Sequence, residues 1–176
     1  MPAGKDKFMK DQALREIYRE AFGNDGEFED RLFSLCGEYL RTAEKDGNIV
    51  ALLFALPCEI ISEEKRFDAY YLYAAATRKK YRGKGYMTGL ISNLIKEGKP
   101  IFLKPENDGL VGFYERLGFK KFTALTGGET KITAKPKEGF AALSVTEKEE
   151  GIFSYPAMCV SFPAPPDNLY FPYIME

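Results

Sequence analysis

Between Thr77 and Met87 the chain reads Thr77-Arg78-Lys79-Lys80-Tyr81-Arg82-Gly83-Lys84-Gly85-Tyr86-Met87, a basic turn punctuated by glycine. These residue types at this spacing suit the holding of an anion. Glycines let the backbone approach a phosphate, and the first N–H groups of a following helix point at it with the positive end of the dipole. Arg82 and Lys84 add two cationic side chains inside the same turn. A phosphorylated ligand is the expectation. A second chemical fact is negative: the chain has no histidine. Ser-His-Asp and Cys-His catalysis, HExxH metalloprotease chemistry and His-containing zinc sites are thereby excluded. The three cysteines, Cys36, Cys58 and Cys159, are too sparse for a Cys-only zinc site. No metal is implied. Proton transfer falls to Asp, Glu, Tyr, Lys, Cys or water, which suits direct attack by a substrate better than attack by an enzyme nucleophile.

A cradle of this kind must join a strand to a helix, and the flanking sequence supplies both. Residues 70–77, Tyr-Tyr-Leu-Tyr-Ala-Ala-Ala-Thr, read as an aromatic-rich strand. Met87, Leu90, Ile91, Leu94 and Ile95 recur at helical spacing, closed by Gly98. Upstream, Leu14, Ile17, Tyr18, Ala21 and Phe22 predict an amphipathic helix over residues 9–22. The acidic segment 25–30 opens a second helix through Phe28, Leu32, Phe33 and Leu35. A hairpin follows, with strands 39–44 and 49–56 about a turn at Asp46-Gly47-Asn48. Residues 59–68 read as a charged connection. Downstream come a short buried strand over 100–103 and a helix capped by Asn107 or Asp108. That helix carries Leu110, Phe113, Tyr114 and Leu117 on one face and stops at Gly118. Residues 119–125 read as a strand. Beyond Thr126 lie six of the ten prolines, interleaved with aromatics. Long helices are excluded there, and edge strands and ordered loops on the same core are expected.

Composition fits one domain over residues 1–176, with 45% apolar and 29% charged residues. The formal charge is −1, from 25 basic and 26 acidic residues, so neither nucleic acid nor a polyionic partner is favoured. The apolar run over 49–56 is too short to cross a bilayer, and the basic N-terminus lacks a signal-peptide apolar region. No membrane partner is expected. Scattered cysteines point to a reducing cytoplasm. A homodimer is compatible with this composition.

Two stretches resemble the signatures of the GCN5-related N-acetyltransferases (GNAT family). Arg82-Gly83-Lys84-Gly85-Tyr86-Met87 resembles R/Q-x-x-G-x-G/A. Residues 107–119, from Asn107 through Tyr114 to Gly118-Phe119, resemble N-x-x-A-x-x-x-Y-x-x-x-G-F. Both occur in order, and the match covers about residues 27–122. The resemblance implies an α/β (α+β) fold, a mixed, twisted central sheet with a splayed strand pair flanked by about four helices. It also implies acetyl-CoA as co-substrate and an amine acceptor. Ala75, Ala76 and Thr77 would contact the pantetheine arm, Ala75 and Thr77 through their backbones. The N–H groups of Gly83, Lys84, Gly85, Tyr86, Met87 and Thr88 would hold the pyrophosphate, with Arg82 beside them. Asn107 would contact the cofactor near its thiol end, and Tyr114 would be the general acid for the departing thiolate. Met87 replaces the usual Gly or Ala, and Leu110 the usual Ala. The strand 101–104 lacks the carboxylate that many relatives carry, so the base is unassigned; Glu59 and Glu106 are the nearest candidates beside a water chain. The rival reading is an acyl-CoA-binding sensor or regulatory module without turnover.

Overall fold

The computed structural model describes residues 3–62, 65–126, 132–136, 153–162 and 168–170. Its helices are α1 (Ala3–Phe22), α2 (Gly26–Cys36), α3 (Tyr86–Lys96) and α4 (Asp108–Arg116). Its strands are β1 (Leu40–Lys45), β2 (Asn48–Ser62), β3 (Lys65–Thr77), β4 (Ile101–Leu103), β5 (Lys120–Thr126), β6 (Ile132–Pro136), β7 (Phe153–Val160) and β8 (Asn168–Tyr170). This is the mixed α+β architecture expected, with four α-helices among the described residues. The chain divides into two compact units, Met1–Ala55 with Tyr73–Asn93, and Leu56–Leu72 with Leu94–Glu176.

In the first unit, β1 and β2 form an antiparallel hairpin running from Leu40↔Phe54 to Lys45↔Asn48. Its two-residue loop, Asp46 (φ 51) and Gly47 (φ 75), has both residues left-handed, as a twisted hairpin demands. The stretch from Val50 to Ala55 is wholly buried. Aromatic contacts carry α1 and α2 onto this strand: Tyr18 meets Phe33 at 5.9 Å and Phe33 meets Phe54 at 5.4 Å between ring centres. Asp25 caps α2 as its sequence suggested, its Oδ1 accepting the Phe28 N–H at 3.3 Å.

The buried face of α2 differs from the expectation at one position. Leu35 is 42% exposed, while Glu29, Leu32, Phe33 and Cys36 are buried at helical spacing. The helix phase also buries Glu29, a carboxylate expected only as part of the acidic helix start. Two guanidiniums make that tolerable: Arg15 Nη1 donates to Glu29 Oε1 at 2.8 Å, Arg19 Nε to Oε2 at 2.7 Å and Arg19 Nη2 to Oε1 at 2.9 Å.

In the second unit, β3 pairs in parallel with β4 only at Tyr70↔Ile101 and Tyr71↔Phe102. β4 and β5 each pair antiparallel with β7, β8 runs parallel to β5 and β6, and β6 pairs the end of β2. Two expectations are corrected here. The charged stretch 59–68 is mostly strand, because β2 runs to Ser62 and β3 begins at Lys65. Alternation explains it: Cys58 and Ile60 are buried, while Glu59 and Ile61 are part-exposed. The proline-rich tail also supplies an interior strand, not only edges, since β7 lies between β4 and β5. Pro156 is accommodated because it faces Thr123 of β5, whereas the pairing with β4 covers only Met158, Cys159 and Val160. At Pro156, therefore, β4 draws on no N–H.

Leu32 and Leu35 make a paired test of the α2 phase. Leu32→Ala should cost about 2–5 kcal/mol, as burial predicts, and Leu35→Ala less than about 0.5 kcal/mol. Urea unfolding measures both, and equal costs would contradict the phase.

Candidate cofactor cradle and proton donor

Within the first unit, the cradle begins where β3 stops being regular. Ala74 is buried at φ 49, a left-handed backbone inside a strand. L-residues other than Gly, Asn and Asp rarely adopt it, and inside a strand it breaks the regular ladder, as at a bulge. Sequence reasoning missed this position, since alanine carries no signal for positive φ. The next residues, Ala75, Ala76 and Thr77, are those expected to meet the pantetheine arm. Ala76 is buried, and Ala75 and Thr77 are half-buried.

Arg78 fixes the exit from β3. Its N–H bonds to the Val50 carbonyl at 3.0 Å. Its side chain donates to the Ile49 carbonyl at 3.3 Å, to the Ala13 carbonyl at 3.2 Å and to Glu16 at 3.0 Å. A single 3₁₀ turn, Lys79–Tyr81, follows, and the Lys79 N–H is held by Glu20 at 2.5 Å. Arg82 folds back, its Nε donating to the Thr77 carbonyl at 3.0 Å. Gly83 (φ 71) and Gly85 (φ 82) are both left-handed, and a Cβ on either would meet nothing within 4 Å. Glycine is needed there for backbone conformation, and the space beside it is open. The first closed bond of α3 runs from the Gly89 N–H to the Gly85 carbonyl at 2.8 Å. The N–H groups of Tyr86, Met87 and Thr88 thus precede the helical ladder. Lys84 Nζ lies 5.3 Å from the Tyr81 ring centre, and Met87 is half-buried. Open left-handed glycines, unladdered N–H groups and two cations fit a pyrophosphate.

The second unit holds the remaining candidates. Asn107 stands at the N-cap of α4 but makes no side-chain cap bond, so the position matches expectation and the mechanism does not. Its Oδ1 lies 3.1 Å from where a Cβ on Gly109 would stand, so a side chain there would displace the Asn107 amide slightly. Tyr114 is 6% exposed and stacks edge-on with Phe113 and Phe119 at 5.1 and 5.6 Å. Burial, with a contribution from the Glu106 charge, pushes its phenol up to about 12. Glu59 receives a bond from Arg66 at 3.0 Å, an ion pair with side chains 34% and 67% exposed. Thus the first unit brings Ala75, Ala76, Thr77 and residues 82–88 together, and the second carries Glu59, Asn107 and Tyr114.

The tyrosines of β3 are engaged individually. Tyr70 donates to Glu97 at 2.8 Å, and Tyr71 packs on Phe102 at 5.1 Å. Tyr73 bonds Tyr18 and meets Phe28 at 6.3 Å. Burial is the first cause that raises the phenols of both Tyr18 and Tyr73.

The profile of the acetyltransferase (GNAT) family matches residues 11–119, more than half of the chain. No curated protein matches the sequence. Among solved structures, a GCN5-related N-acetyltransferase from Anabaena variabilis aligns with TM-score 0.56 and 19% identity, over 66% of this chain and 31% of that one. One from Kribbella flavida gives 0.54 and 15% over 65% and 34%. The chain therefore spans about a third of the length of these two proteins. The ribosomal-protein-S18-alanine N-acetyltransferase from Escherichia coli gives 0.52 and 18%, over 85% of each chain. At these identities the likeness is one of fold.

Ala74 gives a direct test of the irregular strand. Ala74→Gly should leave stability unchanged or raise it by up to about 1 kcal/mol, and Ala74→Val should lower it by about 1–3 kcal/mol. Thermal unfolding decides; a destabilising glycine would mean that the residue is not left-handed in solution.

Proposed function

The chain belongs to the acetyltransferase (GNAT) family, and on that premise we propose that it transfers the acetyl group of acetyl-CoA to a primary amine by direct attack in a ternary complex. The observation that carries this reading is the glycine turn. Gly83 and Gly85 are left-handed with open space beside them, next to the unladdered N–H groups of α3. Acetyl-CoA supplies an activated acyl thioester whose sulfur leaves as a thiolate. The rest is done by this chain's own groups. Backbone N–H groups of Gly83 through Thr88 bind pyrophosphate oxygens. Arg82, anchored through Nε to Thr77, keeps its remaining donors for the same task. Residues at 75–77 orient the arm.

Tyr114 is assigned from the second motif as the group that meets the leaving sulfur. A phenol at about 12 is a weaker acid than a thiol at roughly 8.5. It therefore acts chiefly as a hydrogen-bond donor that stays protonated throughout the working range. Glu59 would serve as base while its Oε2 is held by Arg66; a water chain requires no such partner. The acceptor is a primary amine of unassigned identity. The three cysteines are buried and outside any disulfide, which supports a cytoplasmic location.

Calorimetric titration with acetyl-CoA and CoA tests the cradle. Micromolar binding is expected in the wild type and none in Gly85→Val, where a branched residue meets a left-handed backbone; unaltered affinity would refute the assignment. Release of CoA with a panel of amines then separates an enzyme from a binding module, which would bind and never turn over. Tyr114→Phe should lower turnover by about a hundredfold or more, with cofactor affinity nearly intact. The sign of its pH dependence follows from the raised phenol. Its stabilising effect is complete below about 10, the unfolded value, and is lost as pH rises through about 12. No alkaline fall in kcat/KM due to Tyr114 is expected below about pH 10, so wild-type and Tyr114→Phe profiles should run parallel there. Diverging profiles would show an ionising Tyr114.

A further inference from the structure

A cavity of about 540 Å³ opens in the first unit, and neither Gly83 nor Gly85 lines it. Its wall includes Lys10 and Glu16 of α1, Asn48 at the hairpin, and Arg78, Lys80 and Tyr81 beyond β3. Three cations thus face one carboxylate. Arg78 and Glu16 neutralise each other at 3.0 Å, and Arg78 is further spent on the Ile49 and Ala13 carbonyls. That pair is wall, not recognition.

The two ammonium groups remain. Lys10 lies 3.8 Å from Glu44, with side chains 65% and 46% exposed, a water-screened pair of small energy. Lys80 rests 5.0 Å from the Tyr81 ring centre, and no carboxylate among the described residues pairs with it. A doubly charged, compact group is the ligand chemistry that answers a wall bearing two ammoniums, and a phosphate monoester has that charge and shape. The volume admits more than a bare ion, within the roughly 300–1,000 Å³ typical of small-molecule sites. Tyr81 also links the cavity to the cradle, since its ring carries Lys84 of the glycine turn as well as Lys80.

We propose that this cavity is a second anion site, distinct from the pyrophosphate cradle, and that it takes a phosphate monoester through Lys10 and Lys80. The ester has two sources. One is the 3′-phosphate that CoA carries besides its pyrophosphate, a version that rests on the acetyl-CoA reading above. The other is the phosphate of a separate metabolite, which does not.

Calorimetry on the full chain separates them. Wild type and the Lys10→Gln/Lys80→Gln variant are titrated with CoA and with 3′-dephospho-CoA. Adenosine 3′-monophosphate is then titrated into free protein and into protein saturated with CoA. Both lysines are exposed, so the variant should unfold at the wild-type temperature; the single Lys80→Gln variant repeats the comparison should it not. If the cavity takes the cofactor's own phosphate, CoA should bind at least about fivefold tighter than its dephospho form in the wild type, and about equally in the variant. If it takes a separate ester, adenosine 3′-monophosphate should bind CoA-saturated wild type and lose that binding in the variant. A preference for CoA that survives in the variant, or neither signature at all, overturns the proposal. The two readings fail separately. CoA binding that Gly85→Val abolishes, with neither signature, leaves the cradle standing and removes the cavity. Absence of CoA binding, with ester binding to the free protein that depends on the lysines, does the reverse.

Discussion

The first unit depends on where β3 is made to end, and one residue decides it. Arg78 gives its N–H to Val50 and its guanidinium to Ile49, Ala13 and Glu16. A planar, permanently charged fork can satisfy two carbonyls and a carboxylate at once. It thereby ties α1, β2 and the exit of β3 to one point. With that point fixed, the next turn has little freedom: Lys79 is held by Glu20, and Arg82 reaches back to Thr77. The left-handed glycines follow from this. A chain clamped at Arg78 that must start a helix at Tyr86 has few residues in which to reverse, and φ values of 71 and 82 at Gly83 and Gly85 accomplish the reversal.

A second constraint lies under the first two helices. Glu29 is fully buried, and isolated it would be among the costliest groups in the chain. Arg15 and Arg19 satisfy both of its oxygens, and Arg15 also reaches Asp11 and Asp30. Burial alone would disfavour the Arg15 cation; its hydrogen bonds to Glu29, Asp11 and Asp30 outweigh that, and the net shift is upward. The arrangement contributes less to net stability than its bond count suggests, because desolvation offsets attraction. What it contributes is direction. A buried carboxylate with two fixed donors admits one pairing of α1 with α2, where an all-apolar seam would tolerate sliding. The exposed Leu35 and buried Glu29 are two sides of that choice.

The parts of this architecture legible in the sequence were those governed by local rules. The Asp46-Gly47 hairpin, the Asp25 cap, the helix from Tyr86 and the glycine turn each follow from residues close in the chain. What escaped depends on partners far away. The buried Glu29 reads as a solvated helix start until Arg15 and Arg19 are seen beside it. Ala74 gives no hint of a left-handed backbone, since its side chain suits any strand. The place of β7 between β4 and β5 hides behind Pro156, which suggests an edge until the short reach of β4 is known. The Arg78-Lys79-Lys80 run was visible as charge, yet Arg78 and Lys80 have opposite fates: one is consumed by the fold, and the other has no carboxylate partner among the described residues. The bonds to Ala13, Glu16 and Ile49, on distant segments of the chain, separate them.

An acetyl transfer of the proposed kind would respond to pH through few groups of this chain. No histidine is present to titrate near neutrality. Burial pushes the thiols of Cys36 and Cys159 up to about 12 and about 11, and the Tyr114 phenol stands at about 12. Each of these groups is held neutral by desolvation across the range in which a thioester survives. Burial thus exchanges acid strength for constancy: Tyr114 in its proposed role would donate a hydrogen bond equally well at every working pH, yet would surrender its proton less readily than the thiol it would serve. On the proposed mechanism, the group that must change protonation would be the acceptor amine, which attacks only when neutral. Turnover would follow the amine's own titration, and acceptors whose amines ordinarily ionise at lower pH would react in larger fraction near neutrality. Selectivity among amines would then begin with proton affinity, before any contact with the walls of the site.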